Sequence, residues 1–556
     1  MAQWQKGLNY EETPLWKMYL KGVEYQSSLG LRTGIPKNID FYEGRQWPSP
    51  TESTKNLPRP VINIVKMICR SKRAAILSTP VKLLYKSYSP KTDIDRLNDF
   101  LDNILKELNQ DGLDKQAIDD GIKKGSYFYH YYWDSEGVGY TGRADGGVRC
   151  EIIDPLSIFF ANPKETDEQR QDWILISTVV SQDRLFQICD PELLPTIRAS
   201  LENSDKEKSE KHTLLTRYFR VGNEVYCERG TKYAYINKPF SIYPKVPNIN
   251  AGNEIAKEQD IATSQSSYKR GKAVLYPVVC GVYERREGSI YGISEVEGII
   301  PNQKAINFNI AMSLLNAQQC AWGKYIALPG ALKGQKISNT PGQVLIDHTG
   351  TGEGIKKMSE QELSSSPVTL ATELTQLTRT TSGVNEIMSG ETLRSNMSGV
   401  AIAQLQAQAD VPIEELRASF WESKKKQGIV LAQFIRLYYY DKEFIRNTKD
   451  KNGCECEVCD YFYSRDYQNS ILDVVVEPTR GTQASITSDI NLLDNCLKNG
   501  KISLETYIRA YPEGVISNKT AILKQIEEEK SSEITILRKE LEMYKNGKTL
   551  DPVSII

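Results

Sequence analysis

Hydrophobic and polar positions divide the chain into a helical start, a β-rich middle and a mostly helical second half. Apolar residues recur at helical spacing over 10–33, and again after Pro60, whose missing N–H is tolerated where a helix begins. A third helix is predicted over 93–109, with an apolar stripe of Ile94, Leu97, Leu101, Leu105 and Leu108. The first part of the chain is therefore predicted to be helical, and the spacing of its apolar residues changes after residue 109.

From residue 113 to about 285 the chain carries short aromatic and β-branched runs bounded by Gly, Asp and Pro. Such runs indicate strands, and residues 214–230 are typical of a hairpin. The charged stretch 202–212 has the composition of a loop or an insertion. The other predicted strands lie within 125–134, 148–163, 172–185 and 273–287.

Helical spacing returns after residue 291 and dominates the second half. Residues 299–328 have one aliphatic face and one face of Asn and Gln, and a Gly-rich segment with a short strand at 342–347 follows. Further helices are predicted over 367–388 and from about 399 to 440. A strand at 471–480 precedes C-terminal helices. No charged side chain occurs between Arg394 and Asp410, although a quarter of the chain is charged.

Composition excludes several functional classes. Acidic and basic residues nearly cancel over the 556 residues, leaving a formal charge of -1, so a uniformly basic surface for gripping nucleic acid is excluded. The opening residues do not resemble a secretory signal, and no run approaches the ~20 apolar residues of a membrane span. Scattered single cysteines predict free thiols in a cytosol-like compartment.

Candidate chemistry is sparse. With three histidines in the whole sequence, a Ser-His-Asp or Cys-His site is disfavoured, and there is no phosphate-binding Gly-x-x-x-x-Gly-Lys-Ser/Thr loop. Cys454, Cys456 and Cys459 have spacing compatible with Zn²⁺, but a fourth ligand is not evident. Free thiols on an inserted hairpin are the alternative. We assign no metal, no cofactor and no catalytic residue.

Five motifs in the second half, in order, resemble those of bacteriophage portal proteins, the head-to-tail connectors of the capsid. They are YGISEVEGIIPNQKAIN, ALPGALKG, PGQVLID, NMSGVAI and LKNGKIS. NIDFYEGRQWP and IIDPLSIFFANP in the first half resemble the wing segments of the same family. The resemblance covers most of residues 38 to 540, while 202–212 and 444–466 have no counterpart and resemble insertions.

The resemblance implies an α+β, portal-type fold assembled as a ring. It has an α/β wing, a two-helix stem, a small α/β clip, a long wing helix and a helical crown. The expected segments are 1–290 for the N-terminal helices and wing, 291–328 for the first stem helix, 329–365 for the clip, 366–388 for the second stem helix, 389–398 for a tunnel loop, 399–485 for the long wing helix and returning strand with the Cys-rich insertion, and 486–556 for the crown.

The implied function is a channel, usually dodecameric, at one capsid vertex in the virion. A terminase motor drives double-stranded DNA through it, and the DNA is later ejected. The expected partners are other copies of the chain, DNA bound without sequence specificity, the terminase large subunit, major capsid or scaffold proteins and a head-completion or tail adaptor protein. No membrane partner is expected, and assembly is expected in the host cytoplasm.

The resemblance also implies site residues, each with an alternative. Small residues from Gly399 to Ala409 allow close packing on copies of the same helix, and we expect inter-subunit helix packing along 399–440 to hold the ring together. The tunnel loop would contact phosphates, or serve only as a helix connector; its candidates are Ser389, Gly390, Arg394, Asn396, Ser398 and Gly399. The stem candidates would line the channel, or form a solvated face or an inter-subunit hydrogen-bond seam; they are Asn302, Gln303, Lys304, Asn307 and Asn309. The clip candidates would dock the motor, or belong to an internal loop; they are Lys333, Lys336, Lys356 and Lys357.

Two other functions remain open at this stage. One is a head or connector component without a channel, which imaging of the purified protein would distinguish by the absence of a central hole. The other is a nucleic-acid-processing enzyme using the cysteine cluster, which is disfavoured because no carboxylate or histidine constellation accompanies it.

Overall fold

The protein is described by a computed structural model that combines helices and strands. It is 49% helical and 23% strand, which confirms the α+β class. The described residues are 12–87, 93–135, 146–204, 211–242, 274–321, 325–338, 343–357, 366–384, 399–439, 442–449, 455–467, 470–478, 483–511, 522–523 and 525–526.

The chain divides into two compact units. The first comprises Met1–Leu77, Leu83–Lys442 and Tyr461–Val476, and the second comprises Ser78–Lys82, Glu443–Asp460 and Glu477–Ile556. The first unit contains both larger sheets and the long helices of the second half. The second contains most of the 444–466 insertion and the C-terminal helices.

Five helices precede the main sheets: α1 Pro14–Ser28, α2 Leu31–Glu43, α3 Ile64–Leu77, α4 Ile94–Glu107 and α5 Gln110–Lys124. The single helix predicted over 10–33 is wrong, because Gly30 adopts a left-handed conformation with φ 71° and separates α1 from α2. Pro60 also lies before α3 rather than at its start. The strand-rich region predicted from 113 begins instead with most of α5.

The middle of the chain forms two antiparallel sheets. The larger has the order β4-β5-β6-β7-β8, the smaller has the order β3-β2-β9, and β1 pairs with β14 from much later in the sequence. The strands are β1 Val81–Ser87, β2 Ser126–Asp134, β3 Gly147–Ile153, β4 Ile158–Phe160, β5 Trp173–Ser181, β6 Lys211–Val221, β7 Glu224–Gly230, β8 Phe240–Ser241, β9 Val278–Val282 and β14 Leu472–Pro478.

One hydrophobic core contains residues from α2 and from both larger sheets. Phe128, Ile174, Tyr218 and Val278 are among its buried members, which shows why the aromatic and β-branched runs form strands there. The predicted hairpin at 214–230 is confirmed as β6 and β7. Two helices that the pattern did not predict, α6 Gln182–Ile188 and α7 Leu194–Ser204, lie between β5 and β6.

The second half contains the predicted long helices. They are α8 Glu295–Ala321, α9 Ser366–Thr381 and α10 Gly399–Tyr438, and α8 packs against α9. The helix predicted to reach residue 388 ends earlier, because Gly383 is left-handed and the N–H of Val384 bonds to Arg379 O at 3.0 Å. Such a hydrogen-bonded glycine terminus closes α9.

The remaining elements are short. β10 Tyr325–Ala327 pairs antiparallel with β11 Ile355–Lys357, and β12 Lys442–Lys449 pairs with β13 Glu455–Phe462. The strand predicted at 342–347 is wrong for the described residues 343–347, which are irregular. Two C-terminal helices are confirmed, α11 Gln483–Lys498 and α12 Leu504–Ala510. None of the helices seen in the described ranges has the length and apolarity needed to cross a membrane.

Candidate functional site

The amide side chain of Gln303 joins α8 to the beginning of α3. Its Oε1 accepts hydrogen bonds from the backbone N–H groups of Ile64 at 3.0 Å and Val65 at 3.3 Å. Its Nε2 donates to the carbonyl oxygen of Ile62 at 2.7 Å. The first N–H groups of a helix have no partner within the helix, so Gln303 acts as a distant N-terminal cap for α3.

Asn307, one helical turn further along α8, extends this contact. Its Oδ1 accepts from Gln303 Nε2 at 3.0 Å, and its Nδ2 donates to Gln46 Oε1 at 2.7 Å. Gln46 Nε2 in turn donates to the carbonyl oxygen of Phe41 at 2.7 Å, at the end of α2. We call Gln46, Gln303 and Asn307 the amide clamp. It fixes the rotation of α8 against α2 and α3.

Burial of the amide clamp corrects part of the predicted channel wall. Gln303 is 0% exposed and Asn307 is 2% exposed, and both hydrogen-bond within their own subunit. These two side chains therefore neither line a channel nor form an inter-subunit seam. Asn302 and Asn309 are partly exposed and Lys304 is exposed, so these three remain candidates for a surface role.

An ion pair anchors the first turn of α8. Lys72 Nζ on α3 lies 2.7 Å from Glu295 Oε2, and both side chains are about nine-tenths buried. The hydroxyl of Tyr283 donates to the same carboxylate oxygen at 2.9 Å. A carboxylate at a helix N-terminus also interacts favourably with the helix dipole. The N-terminal half of α8 is thus held in place both by the Lys72–Glu295 ion pair and by the amide clamp.

The exposed half of α8 has two rows of different chemistry. Lys304, Phe308 and Met312 follow i, i+4, i+8 spacing and are all exposed, so they form one row. The second row is small and polar, and two of its hydrogen bonds run along the helix itself: Asn309 Nδ2 to Ala305 O at 2.8 Å and Ser313 Oγ to Asn309 O at 2.9 Å. That polar row consists of Asn302, Ala305, Asn309, Ser313 and Asn316.

The hydroxyls of α9 are also satisfied within the helix. Thr375 and Thr378 donate to the carbonyl oxygens four residues earlier at 2.7 and 2.6 Å, and Thr372, Thr380 and Thr381 do the same. This pattern leaves methyl groups rather than hydroxyl donors as the outward chemistry of these threonines. α8 and α9 therefore expose few hydrogen-bond donors that could bind an anion tightly.

The predicted clip is organised by β10 and β11 and by one carboxylate. Asp347 accepts from Thr349 N at 2.9 Å and from Gly354 N at 2.9 Å. Hydrogen bonds from the Thr349 hydroxyl and from these backbone N–H groups lower the pKa of the Asp347 carboxyl. The ionised form is thereby favoured and holds the turn that leads into β11.

The clip lysines occupy different environments. Lys333 and Lys336 are exposed, whereas Lys356 Nζ pairs with Glu353 at 2.9 Å on the surface. Lys357 pairs with Tyr325 in the backbone register of the two strands, and its side chain lies outside the description. Charge alone did not reveal that the clip also exposes apolar side chains, namely Tyr325, Ile326, Leu328, Ile337, Val344 and Ile346.

One face of α10, from Ile413 to Ile435, is buried inside its own subunit. Lys424 Nζ forms an ion pair with Asp114 on α5, and Tyr129 OH donates to the same carboxylate at 2.9 Å. Tyr131 OH donates to Gln427 Oε1 at 3.2 Å. Self-packing along all of 399–440 is therefore wrong for the buried part of the helix. The side chains of residues 399–410, which include the uncharged start of α10, lie outside the description, so self-packing there stays a prediction.

Several candidates lie outside the described side chains. Ser389, Gly390, Arg394, Asn396 and Ser398 fall in the segment between residues 384 and 399, which is not described, and Gly399 is the first residue of α10. Cys454 also lies outside. Cys456 is described only as part of β13, and Cys459 in the same strand is exposed. Among the described residues, no group of three metal-ligating side chains is present.

Comparison with known proteins gives one family. The family model for the phage P22-like portal protein matches residues 24–479, from α1 through the end of β14. That interval contains the amide clamp, both helices α8 and α9, the segment between them that was predicted to be the clip, and all of α10. No curated protein matches the chain.

Proposed function

Because the chain belongs to the phage P22-like portal protein family, it is a portal protein of a bacteriophage virion that serves DNA packaging, and we propose that its copies form a ring-shaped channel at one capsid vertex. Double-stranded DNA enters through this channel during packaging and leaves through it at ejection. The observation that carries the proposal is the family match, which spans residues 24–479 and includes both α8 and α9.

The chemistry of α8 and α9 supports a channel that lets DNA slide. Between Glu297 and the end of α8 the one charged residue is Lys304, and α9 carries Glu373 and Arg379. Each phosphate neutralised by a cation adds affinity through counterion release, so a basic stem would hold the DNA. Side chains of the polar row that hydrogen-bond within their own helix contact the DNA with low affinity. We assign the channel wall to Asn302, Asn309 and Asn316.

The segment between α8 and α9 suits a docking role. It is bounded by two packed helices and exposes both Lys333 and Lys336 and several apolar side chains. We assign it to the clip, where the terminase large subunit and later a head-completion or tail adaptor bind. The segments 1–290 and 399–485 then supply the wing, 389–398 the tunnel loop and 486–556 the crown.

The family is one of structural proteins rather than enzymes. Translocation energy therefore comes from the terminase, and the portal supplies the conduit and the docking surfaces. Major capsid or scaffold proteins surround the ring at the capsid vertex, and assembly takes place in the host cytoplasm. Twelve copies are the number that the resemblance implies.

Negative-stain imaging of the purified chain tests this proposal. The expected result is a ring with a central hole wide enough for a DNA duplex. A closed particle without a hole would favour a connector component that has no channel. Monomers with nuclease activity and stoichiometric zinc would instead favour the enzyme.

A further inference from the structure

Two exposed rows on α8 and α9 have no covering partner among the described residues. We define the cationic row as Lys304, Phe308 and Met312 on α8, and the acidic row as Leu370, Glu373 and Leu377 on α9. Phe308 is 52% exposed and Leu377 is 61% exposed, so each row presents adjacent large apolar side chains to solvent, as interaction surfaces do. Spacings of i, i+4, i+8 and of i, i+3, i+7 place each row along one side of its helix.

The two rows are matched in chemistry and opposite in charge. Each has two large apolar side chains and one charged group: an ammonium on Lys304 and a carboxylate on Glu373. Both charged residues are exposed, and the ion pairs found in the described part of the chain include neither of them. The Nζ of Lys304 does lie 5.7 Å from the ring centre of Phe41, but this contact leaves its charge uncompensated.

We propose that the cationic row of one copy packs against the acidic row of the next copy. The inference rests on the proposed ring and names the surfaces that close it. A ring needs a head-to-tail contact between two different patches of each subunit, and the two rows are different patches. Apolar contact provides adhesion, and the Lys304–Glu373 pair fixes the partner and its register.

The assignment also explains the chemistry of the rest of α8. With the amide clamp turned into the subunit, α9 packed alongside and the cationic row turned to the neighbour, the partly exposed polar row remains for contact with DNA. It is the row with little charge and with side chains bonded to their own helix, as a DNA-facing surface requires. One rotational setting of α8 thus accommodates three contacts, and the amide clamp determines that setting.

Charge reversal tests the pairing directly. Lys304→Glu and Glu373→Lys each place like charges together at every interface, and the double variant restores an opposite pair with reversed polarity. Each single variant should raise the protein concentration needed for half-maximal ring assembly by ~5-fold or more, because like charges at a register-fixing contact weaken association. The double variant should return within ~2-fold of the unmodified chain. Sizing with light scattering over a dilution series measures this.

Matched controls separate pairing from loss of folding. Lys17→Glu and Glu24→Lys reverse exposed charges on α1 and should leave assembly unchanged. Thermal melts of all variants should agree within a few degrees. The inference is overturned if the double variant is as weak as the two single effects combined, or if the single variants behave like the α1 controls while rings still form. If the unmodified chain forms no ring at any concentration, the proposed function fails and this inference fails with it.

Discussion

The side-chain oxygen Oε1 of Gln303 accepts a hydrogen bond from the backbone N–H of Ile64 at 3.0 Å, across 239 residues of sequence. The contact connects the helix that we assign to the channel with the start of a helix in the first third of the chain. It determines which face of α8 is internal and therefore which faces remain for DNA and for neighbouring copies. The contribution of this contact to the free energy of unfolding can be measured directly.

Gln303→Leu should destabilise the fold by about 2–4 kcal/mol. Leucine fits the space approximately, but it removes the acceptor of the Val65 N–H and leaves the Ile64 N–H with only the Ile62 carbonyl oxygen, and a buried hydrogen bond left unmade costs ~1–3 kcal/mol. Urea unfolding followed by circular dichroism measures the change. The neighbouring Asn302→Leu, on the polar row, should change stability by less than ~0.5 kcal/mol. Equal effects of the two variants would contradict the clamp.

Gly281→Ala should disrupt the contact between β9 and β2. A Cβ atom on Gly281 would lie 2.0 Å from Cε2 of Tyr127, its cross-strand partner, whose hydroxyl donates to Ser423 on α10 at 3.2 Å. The ring must move, so we expect a loss of at least ~1–3 kcal/mol and a lower Tm. Gly298→Ala on α8 meets nothing within 4 Å and should be neutral or stabilising by up to ~1 kcal/mol. The reverse order of the two Tm values would refute this packing.

Glu151 should contribute stability that is lost in acid. A hydrogen bond with His130, 2.9 Å away, lowers the pKa of this carboxyl, and His130 also contacts Tyr218 OH across the two sheets at 2.9 Å. A lowered folded pKa means that the contribution is present above the unfolded pKa of ~4.3 and disappears as the pH falls through the folded pKa.

Denaturant midpoints of the unmodified chain and of Glu151→Gln therefore should differ most at pH 6–7 and converge below about pH 4. Glu24→Gln on α1 serves as the exposed control. A gap between the two proteins that widens toward low pH would show that the hydrogen bond does not favour the ionised carboxylate.

The clip should be needed for motor docking but not for ring formation. Deletion of residues 333–338 removes Lys333, Lys336 and the Gln335 side chain that accepts from Ile346 N at 3.1 Å. The milder Lys333→Glu/Lys336→Glu variant keeps the loop and reverses its charge. Both should preserve rings in negative stain and abolish binding of the terminase in a pull-down. Loss of folding in the charge variant would place these residues in a core instead.

Arg394 should affect DNA passage rather than assembly. The prediction rests on the composition of the loop 389–398, in which one Arg per subunit would form a ring of weak phosphate contacts without sequence information. Arg394→Ala should leave ring formation unchanged and alter DNA packaging or retention, and Arg394→Glu should do more harm. An assembled ring with Arg394 on its outer surface, or paired within its own subunit, would exclude this role.

Periodicity alone determined where the long helices lie. The helix predicted from about 399 to 440 is observed at Gly399–Tyr438, and the α+β class follows from the same patterns. These features are local, because a 3.6-residue spacing of apolar side chains and a glycine terminus act within a few residues of sequence. Ordered short motifs likewise indicated the family that the comparison confirmed.

Only the tertiary structure decided which amides of α8 are internal. Asn302 and Gln303 are adjacent and chemically alike, yet one is partly exposed and the other fully buried. The difference comes from the backbone N–H groups at the start of α3 that donate to Gln303, and nothing near residue 303 in the sequence encodes their position. The same holds for α5. Its sequence is polar and shows no clear apolar stripe, and its helical structure is evident only in the fold, where it packs against α2, α3 and β2. A side chain is buried by the residues that pack against it, and those residues are usually distant in sequence.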